Sequence, residues 1–191
     1  MIDAAEHYQK GSLRNRCHLA GPNGPQRLSI PLVKGKHQQT PIREVRISYE
    51  EPWQRQHWRT IQAAYGNAPY FEHYADDIQP FYEQRWDFLF DYNFDFQALI
   101  LQKKLGWRGE FILQSEFFPA DKWLQGSDLR GVIGGGLNDY PQWFTPVRYP
   151  QVFEARTGFL PNLSVLDLLL CCGKTGSEIL AQPLILGTVL E

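Results

Sequence analysis

Glu44-Val45-Arg46-Ile47-Ser48-Tyr49-Glu50-Glu51-Pro52-Trp53-Gln54-Arg55-Gln56-His57-Trp58-Arg59-Thr60-Ile61-Gln62-Ala63-Ala64-Tyr65 changes its apolar period in the middle, and that change decides the fold. Up to Tyr49 the pattern alternates, with Val45, Ile47 and Tyr49 on one face, as in a half-buried strand. From Trp53 the spacing becomes three and four, so that Trp53, His57, Ile61, Ala64 and Tyr65 share one helical face. Pro52 and the acids before it suit a helix start, and Gly66-Asn67-Ala68-Pro69 stops it. A strand leading straight into a helix predicts a mixed architecture, α/β or α+β. We expect a single domain with a small sheet packed against several helices, its strand order unreadable from sequence.

The rest is read outward from this stretch. Arg27 to Val33 alternates and predicts a strand, which Pro31 places at a sheet edge or a bulge. Residues 1–26 read as a short start and a loop punctuated by Gly21-Pro22-Asn23-Gly24-Pro25, and Lys34 to Thr40 as a polar loop. On the other side, 70–76 suggests a short helical or turn segment. Ile78, Phe81, Tyr82, Arg85, Phe88 and Leu89 mark a second amphipathic helix, and a third is predicted from Phe94 to Leu105. Glu110 to Gln114 reads as a strand. Residues 115–160 are irregular and too long for an ordinary connector, with Tyr149 to Phe153 expected to be extended. Ser164 is the expected N-cap of a helix over Val165–Cys172, with Asp167 completing a Ser-x-x-Asp capping box and Gly173 closing the helix. The apolar stretch from Leu184 to Leu190 suggests a last strand or a docked segment.

Composition narrows the function. The 191 residues are 43 % hydrophobic and 21 % charged, ordinary for a globular chain. A net charge of −2 argues against a nucleic-acid binder, whose footprint is a basic excess. No apolar run reaches the length of a membrane span. The start is acidic and lacks the apolar core of a signal peptide. Three cysteines, Cys17, Cys171 and Cys172, cannot form a disulfide framework and fit a reducing compartment. Aromatic content is high at 14 %; such rings serve a heavy core or a carbohydrate or nucleotide site.

Four features carry possible chemistry. His7, Lys10, Arg14, Arg16 and His18 gather positive charge within twelve positions. They read either as a site for an anionic ligand, since the arginine fork suits phosphate or carboxylate, or as a solvated basic segment. His57 sits on an apolar helix face, either as a hydrogen-bonded core residue or as an acid/base. Gly131-Val132-Ile133-Gly134-Gly135-Gly136 lacks both the P-loop and the dinucleotide pattern and reads as a flexible turn. Cys171 and Cys172 read as small buried residues, whereas Cys17 lies among basic groups that favour a thiolate. No metal-ligand spacing and no cofactor motif is present.

The order of these motifs resembles the WbqC-like protein family. The resemblance lies in His7-Tyr8-Gln9-Lys10, Arg14-Asn15-Arg16 and Leu28-Ser29-Ile30-Pro31-Leu32. It continues through Trp53-x-x-x-His57 with Ile61 and Tyr65, then Ala68-Pro69-Tyr70-Phe71. Near the end it includes Tyr149-x-Gln151-Val152-Phe153, Gly158-Phe159-Leu160-Pro161-Asn162-Leu163-Ser164, Asp167-Leu168-Leu169 and Gly173. The resemblance implies a bacterial cytoplasmic protein tied to surface-glycan assembly, because the family's namesake lies among O-antigen genes of lipopolysaccharide. Family members usually carry a strand and a Pro/Tyr/Phe-rich turn ahead of the His-Tyr-Gln-Lys motif, so residues 1–191 are expected to be one domain lacking that opening segment.

Two readings follow. The first is a group-transfer enzyme, a transferase acting on an anionic or nucleotide-activated sugar. Arg14, Arg16 and Lys10 would hold the anion, His7 or His57 would be the acid/base, Tyr8 and Asn15 would orient the sugar, and Trp53 would offer a ring face. The second is a non-catalytic binding or scaffolding protein that meets other proteins of the glycan-assembly machinery.

Overall fold

The computed structural model describes residues 2–33, 40–114, 116, 135–136, 138 and 145–182. Among these the chain is α+β: helices with a few short strands. A hairpin leads. Strand β2 (Arg16–Gly21) pairs antiparallel with β3 (Gly24–Ser29), in register from Arg16 opposite Ser29 to Gly21 opposite Gly24. Gly24 closes the tight Pro22-Asn23 turn at φ 114°, a left-handed value that glycine adopts without a Cβ penalty. The expectation of a loop over residues 1–26 is therefore corrected. Basic residues at 14, 16 and 18 interrupt the apolar alternation that would have announced β2. A second pair is parallel: β1 (Ile2–Asp3) lies beside β4 (Leu113–Gln114), within the strand expected over 110–114.

Two strand expectations are corrected: of 27–33 only Arg27–Ser29 joins a ladder, as the end of β3, and 44–49 forms no strand, Glu44 ending a 3-10 turn. Pro31 has no N–H, so a regular ladder cannot pass it. The two segments meet instead at an isolated bridge, Leu32 opposite Ile47, with Ser48 N–H donating to the Pro31 carbonyl at 2.9 Å. Val45 and Ile47 are still buried, as their alternation requires.

Helix α1 (Trp53–Tyr65) buries the five residues its periodicity selects: Trp53, His57, Ile61, Ala64 and Tyr65. Helix α2 (Phe71–Ile78) ends where Pro80 forces a tighter 3-10 turn over Gln79–Tyr82. The amphipathic helix expected from Ile78 to Leu89 is thus replaced by that turn and a loop. Helix α3 (Leu89–Gln97) begins earlier than the expected Phe94, then widens into a π-helix over Ala98–Lys104. Its run Asp91-Tyr92-Asn93-Phe94-Asp95-Phe96 alternates like a strand, which hid the helix start. Helix α4 (Glu154–Thr157) follows residues 149–153, which are not a strand.

Helix α5 (Val165–Cys172) is capped by Ser164, whose hydroxyl accepts from Leu166 N–H at 3.3 Å, and Gly173 ends it at φ 58°. The capping box is half made. The Asp167 carboxyl does not return to the Ser164 N–H, which donates to the His18 carbonyl at 2.8 Å instead. Helix α6 (Gly176–Leu180) completes the described chain. The stretch expected at Leu184–Leu190 and residues 131–134 of the glycine run lie outside the described residues.

One hydrophobic cluster joins the hairpin, α1, α2, α3, the π-helix and α5. Trp53, Tyr65, Ile61, Leu89, Ile100 and Leu169 are among its fully buried members. Among the described residues no helix is long and apolar enough to cross a membrane.

Candidate functional site

Two residues of the basic cluster, Arg14 and Arg16, line a cavity of about 610 Å³, within the usual range for small-molecule sites. A 3-10 turn over Leu13–Asn15, held by Ser12 as its cap, leads directly into β2. The cavity lies where this turn, the start of β2, His57 of α1, α3, the π-helix and the start of α5 converge.

The two arginines differ sharply. Arg14 is engaged: its guanidinium makes a two-pronged ion pair with Glu6, Nε donating at 2.7 Å, and Nη1 reaches Gln9 Oε1 at 3.4 Å. Its backbone carbonyl accepts from Asn93 Nδ2 at 2.7 Å, which fixes the turn to α3. Arg16 carries no matching carboxylate among the described residues, and its buried Nε has no hydrogen-bond partner there. A buried charged donor without a partner is costly. Its effect is also felt nearby, where Arg16 counteracts the rise that burial imposes on the Tyr8 phenol.

Asn15 lines the cavity, but its amide is taken up by the fold. Oδ1 accepts from the Tyr8 hydroxyl at 3.0 Å, and Nδ2 donates to the Ile30 carbonyl at 3.0 Å. Tyr8 is buried and stands behind Asn15 rather than on the wall. His57 is on the wall, only 9 % exposed, with its ring against Trp53 at 5.1 Å and Tyr82 at 6.4 Å. Burial pushes its pKa down to about 4, against a hydrogen bond to the Ser29 backbone that favours the protonated ring. The imidazole is therefore neutral at physiological pH. Trp53 is 2 % exposed and packs on Tyr49, His57 and Tyr92, so its ring face is inside the core. His7 and Lys10 are exposed and do not line the cavity; His7 bridges to Pro41. Of the eight residues expected at a site, Arg14, Asn15, Arg16 and His57 are brought together on this wall.

Cys17 also lines the cavity, with its thiol bonded to Ser164 and burial pushing its pKa up to about 11. The expectation of a thiolate favoured by basic neighbours is thereby corrected: burial outweighs the nearby charge. Sequence reading missed the rest of the lining, which includes Tyr82, Phe90, Tyr92, Asn93, Phe94 and Ile100. The signal was the paired Phe90 and Phe94, one helical turn apart and stacked with 6.3 Å between ring centroids, but the misplaced helix start obscured it. Among the described residues no three of His, Cys, Asp and Glu gather as metal ligands.

The mixed fold thus encloses a ligand-sized cavity in whose wall, among the described residues, Arg16 has no ion-pair partner. The WbqC-like protein family model matches residues 1–129, and the chain belongs to that family. It is also 26 % identical over 194 residues to the uncharacterized protein Rv1507c of Mycobacterium tuberculosis (strain ATCC 25618 / H37Rv), a match covering 91 % of this chain and 83 % of that protein. No solved structure matches the chain at a significant level.

Proposed function

We propose that the protein is a group-transfer enzyme of bacterial surface-glycan biosynthesis, of the O-antigen type, working in the cytoplasm on an anionic or nucleotide-activated sugar. The observation that carries this reading is Arg16, a cavity-lining cation whose buried Nε lacks a partner. A phosphate or carboxylate arriving there would meet a partly buried guanidinium that no carboxylate among the described residues neutralises. Arg14 and Asn15 act behind it as positioning residues: their bonds to Glu6 and Ile30 hold the turn from which Arg16 projects. His57 is the proton-handling group on the wall, and as a neutral imidazole it enters as an acceptor. His7 and Lys10, exposed nearby in sequence, would meet parts of the substrate outside the cavity.

A thermal-shift comparison of the wild-type chain and Arg16→Gln against nucleotide sugars, sugar phosphates and uronic acids tests the reading. A ligand at 100 times its dissociation constant stabilises by about 2.7 kcal/mol, roughly 5–10 °C for a chain of this size. We expect such a shift in the wild-type protein and its loss in Arg16→Gln. Equal shifts in both proteins, or none with any anionic sugar, would overturn it.

A further inference from the structure

Most polar side chains of the cavity wall are engaged inside the protein, Gln97 and Arg16 being exceptions among the described residues. Both oxygens of Glu6 face Arg14. Ser12 donates to the Gln9 carbonyl at 2.7 Å and accepts from Arg14 N–H. Both functions of the Asn15 amide are taken, and Asn93 Nδ2 is bound to Arg14. Ser164 caps α5 and bonds Cys17, while Tyr82 and Tyr92 bond each other. The remaining wall is mostly aliphatic and aromatic, with Leu13, Ile30, Ile42, Phe94, Ile100 and Val165 among its surfaces. A sugar ring placed inside would bury several hydroxyls with few free partners, and each unsatisfied group is costly. An apolar group suffers no such cost and gains from every methylene removed from water.

We infer that the cavity takes an amphiphilic anion: a carboxylate or phosphate at Arg16, with an acyl or aryl body in the apolar space beyond it and any polyhydroxyl portion left at the mouth. The inference rests on the reading of Arg16 as the anion anchor and adds the chemistry of what fills the cavity.

The test is titration calorimetry of the full chain with butanoate, hexanoate and octanoate, against glucuronate and inorganic phosphate. Burial of each methylene is expected to tighten the dissociation constant about threefold to fourfold. One equivalent of octanoate should bind, more tightly than glucuronate, and Arg16→Gln should weaken the whole series. Phe94→Asn, at a partly exposed ring on the wall, should flatten the chain-length dependence, and the wild-type series gives the same information without any variant. If affinity is independent of chain length while glucuronate binds in an Arg16-dependent way, the amphiphile is overturned and the anion anchor stands. Chain-length dependence that survives unchanged in Arg16→Gln overturns the anchor itself. Absence of binding across the series, or non-saturable uptake of several equivalents, overturns the inference.

Discussion

Two arginines two residues apart have opposite fates. Arg14 is neutralised by Glu6 eight positions upstream, whereas Arg16 enters β2 with a buried, unpartnered Nε. The sequence presents them as equals, because the pairing of Glu6 with Arg14 depends on how the chain folds back. Cys17 was equally opaque. Its basic neighbours are visible in the sequence, but the burial that sets its pKa is not. Cys171 follows the same rule, with burial pushing its thiol up to about 12, and Cys172 is raised too. With a pKa of about 11, Cys17 holds roughly two orders of magnitude less thiolate at pH 8 than a free cysteine. Reaction with Ellman's reagent is therefore expected to be very slow for the native chain and to reach all three thiols once denaturant is added. Rapid labelling of Cys17 in the native state at pH 8 would contradict its placement.

At the scale of elements, legibility followed the number of physical constraints per residue. Helix α1 was readable because one apolar face and two clear boundaries agree. The hairpin was not, since β2 carries charges on the way into the cavity and becomes fully buried only from Leu19 onward. The start of α3 was hidden by an alternating sequence that the surrounding core overrides. The capping box at Ser164 was half legible: the cap formed, but Asp167 was drawn into the core by Tyr65. That tyrosine donates to Asp167 Oδ1 at 2.5 Å and accepts from Ala20 N–H at 2.9 Å, tying α5 and α1 to the strand that presents Arg16. The end of α5 supplies a prediction. Gly173 has φ 58°, and a Cβ there would stand 2.6 Å from the Tyr70 ring. Gly173→Ala is expected to lose about 1–3 kcal/mol. At this chain length that is a fall in Tm on the order of 2–10 °C by calorimetry. An unchanged Tm would show that this backbone conformation is not strained.

Across the whole molecule, two buried titratable groups give stability opposite pH slopes. His57 has its pKa lowered to about 4 in the folded state, so unfolding takes up a proton between there and its ordinary value. Its contribution is present above about pH 6.5 and is lost as pH falls toward 4, at most about 3 kcal/mol at 1.36 kcal/mol per unit. Asp167 is fully buried among Tyr65, Tyr149 and the thiols of Cys171 and Cys172, and burial raises its pKa. Its sign is reversed: the contribution is complete below the usual carboxyl range and is lost as pH rises through the raised value. His57 faces the cavity, whereas Asp167 is bonded to Tyr65 about two turns further along α1, so separate variants should remove the two slopes. Urea midpoints measured from pH 4 to 8 are expected to fall on the acid side in the wild-type chain, and His57→Gln should flatten that fall. Asp167→Asn keeps an acceptor for the Tyr65 hydroxyl but cannot ionise. It should leave the acid limb in place and remove the loss that accompanies rising pH. An acid limb unaltered in His57→Gln would mean that another group governs acid stability and that His57 is not the buried neutral imidazole on which the proposed proton-acceptor role depends.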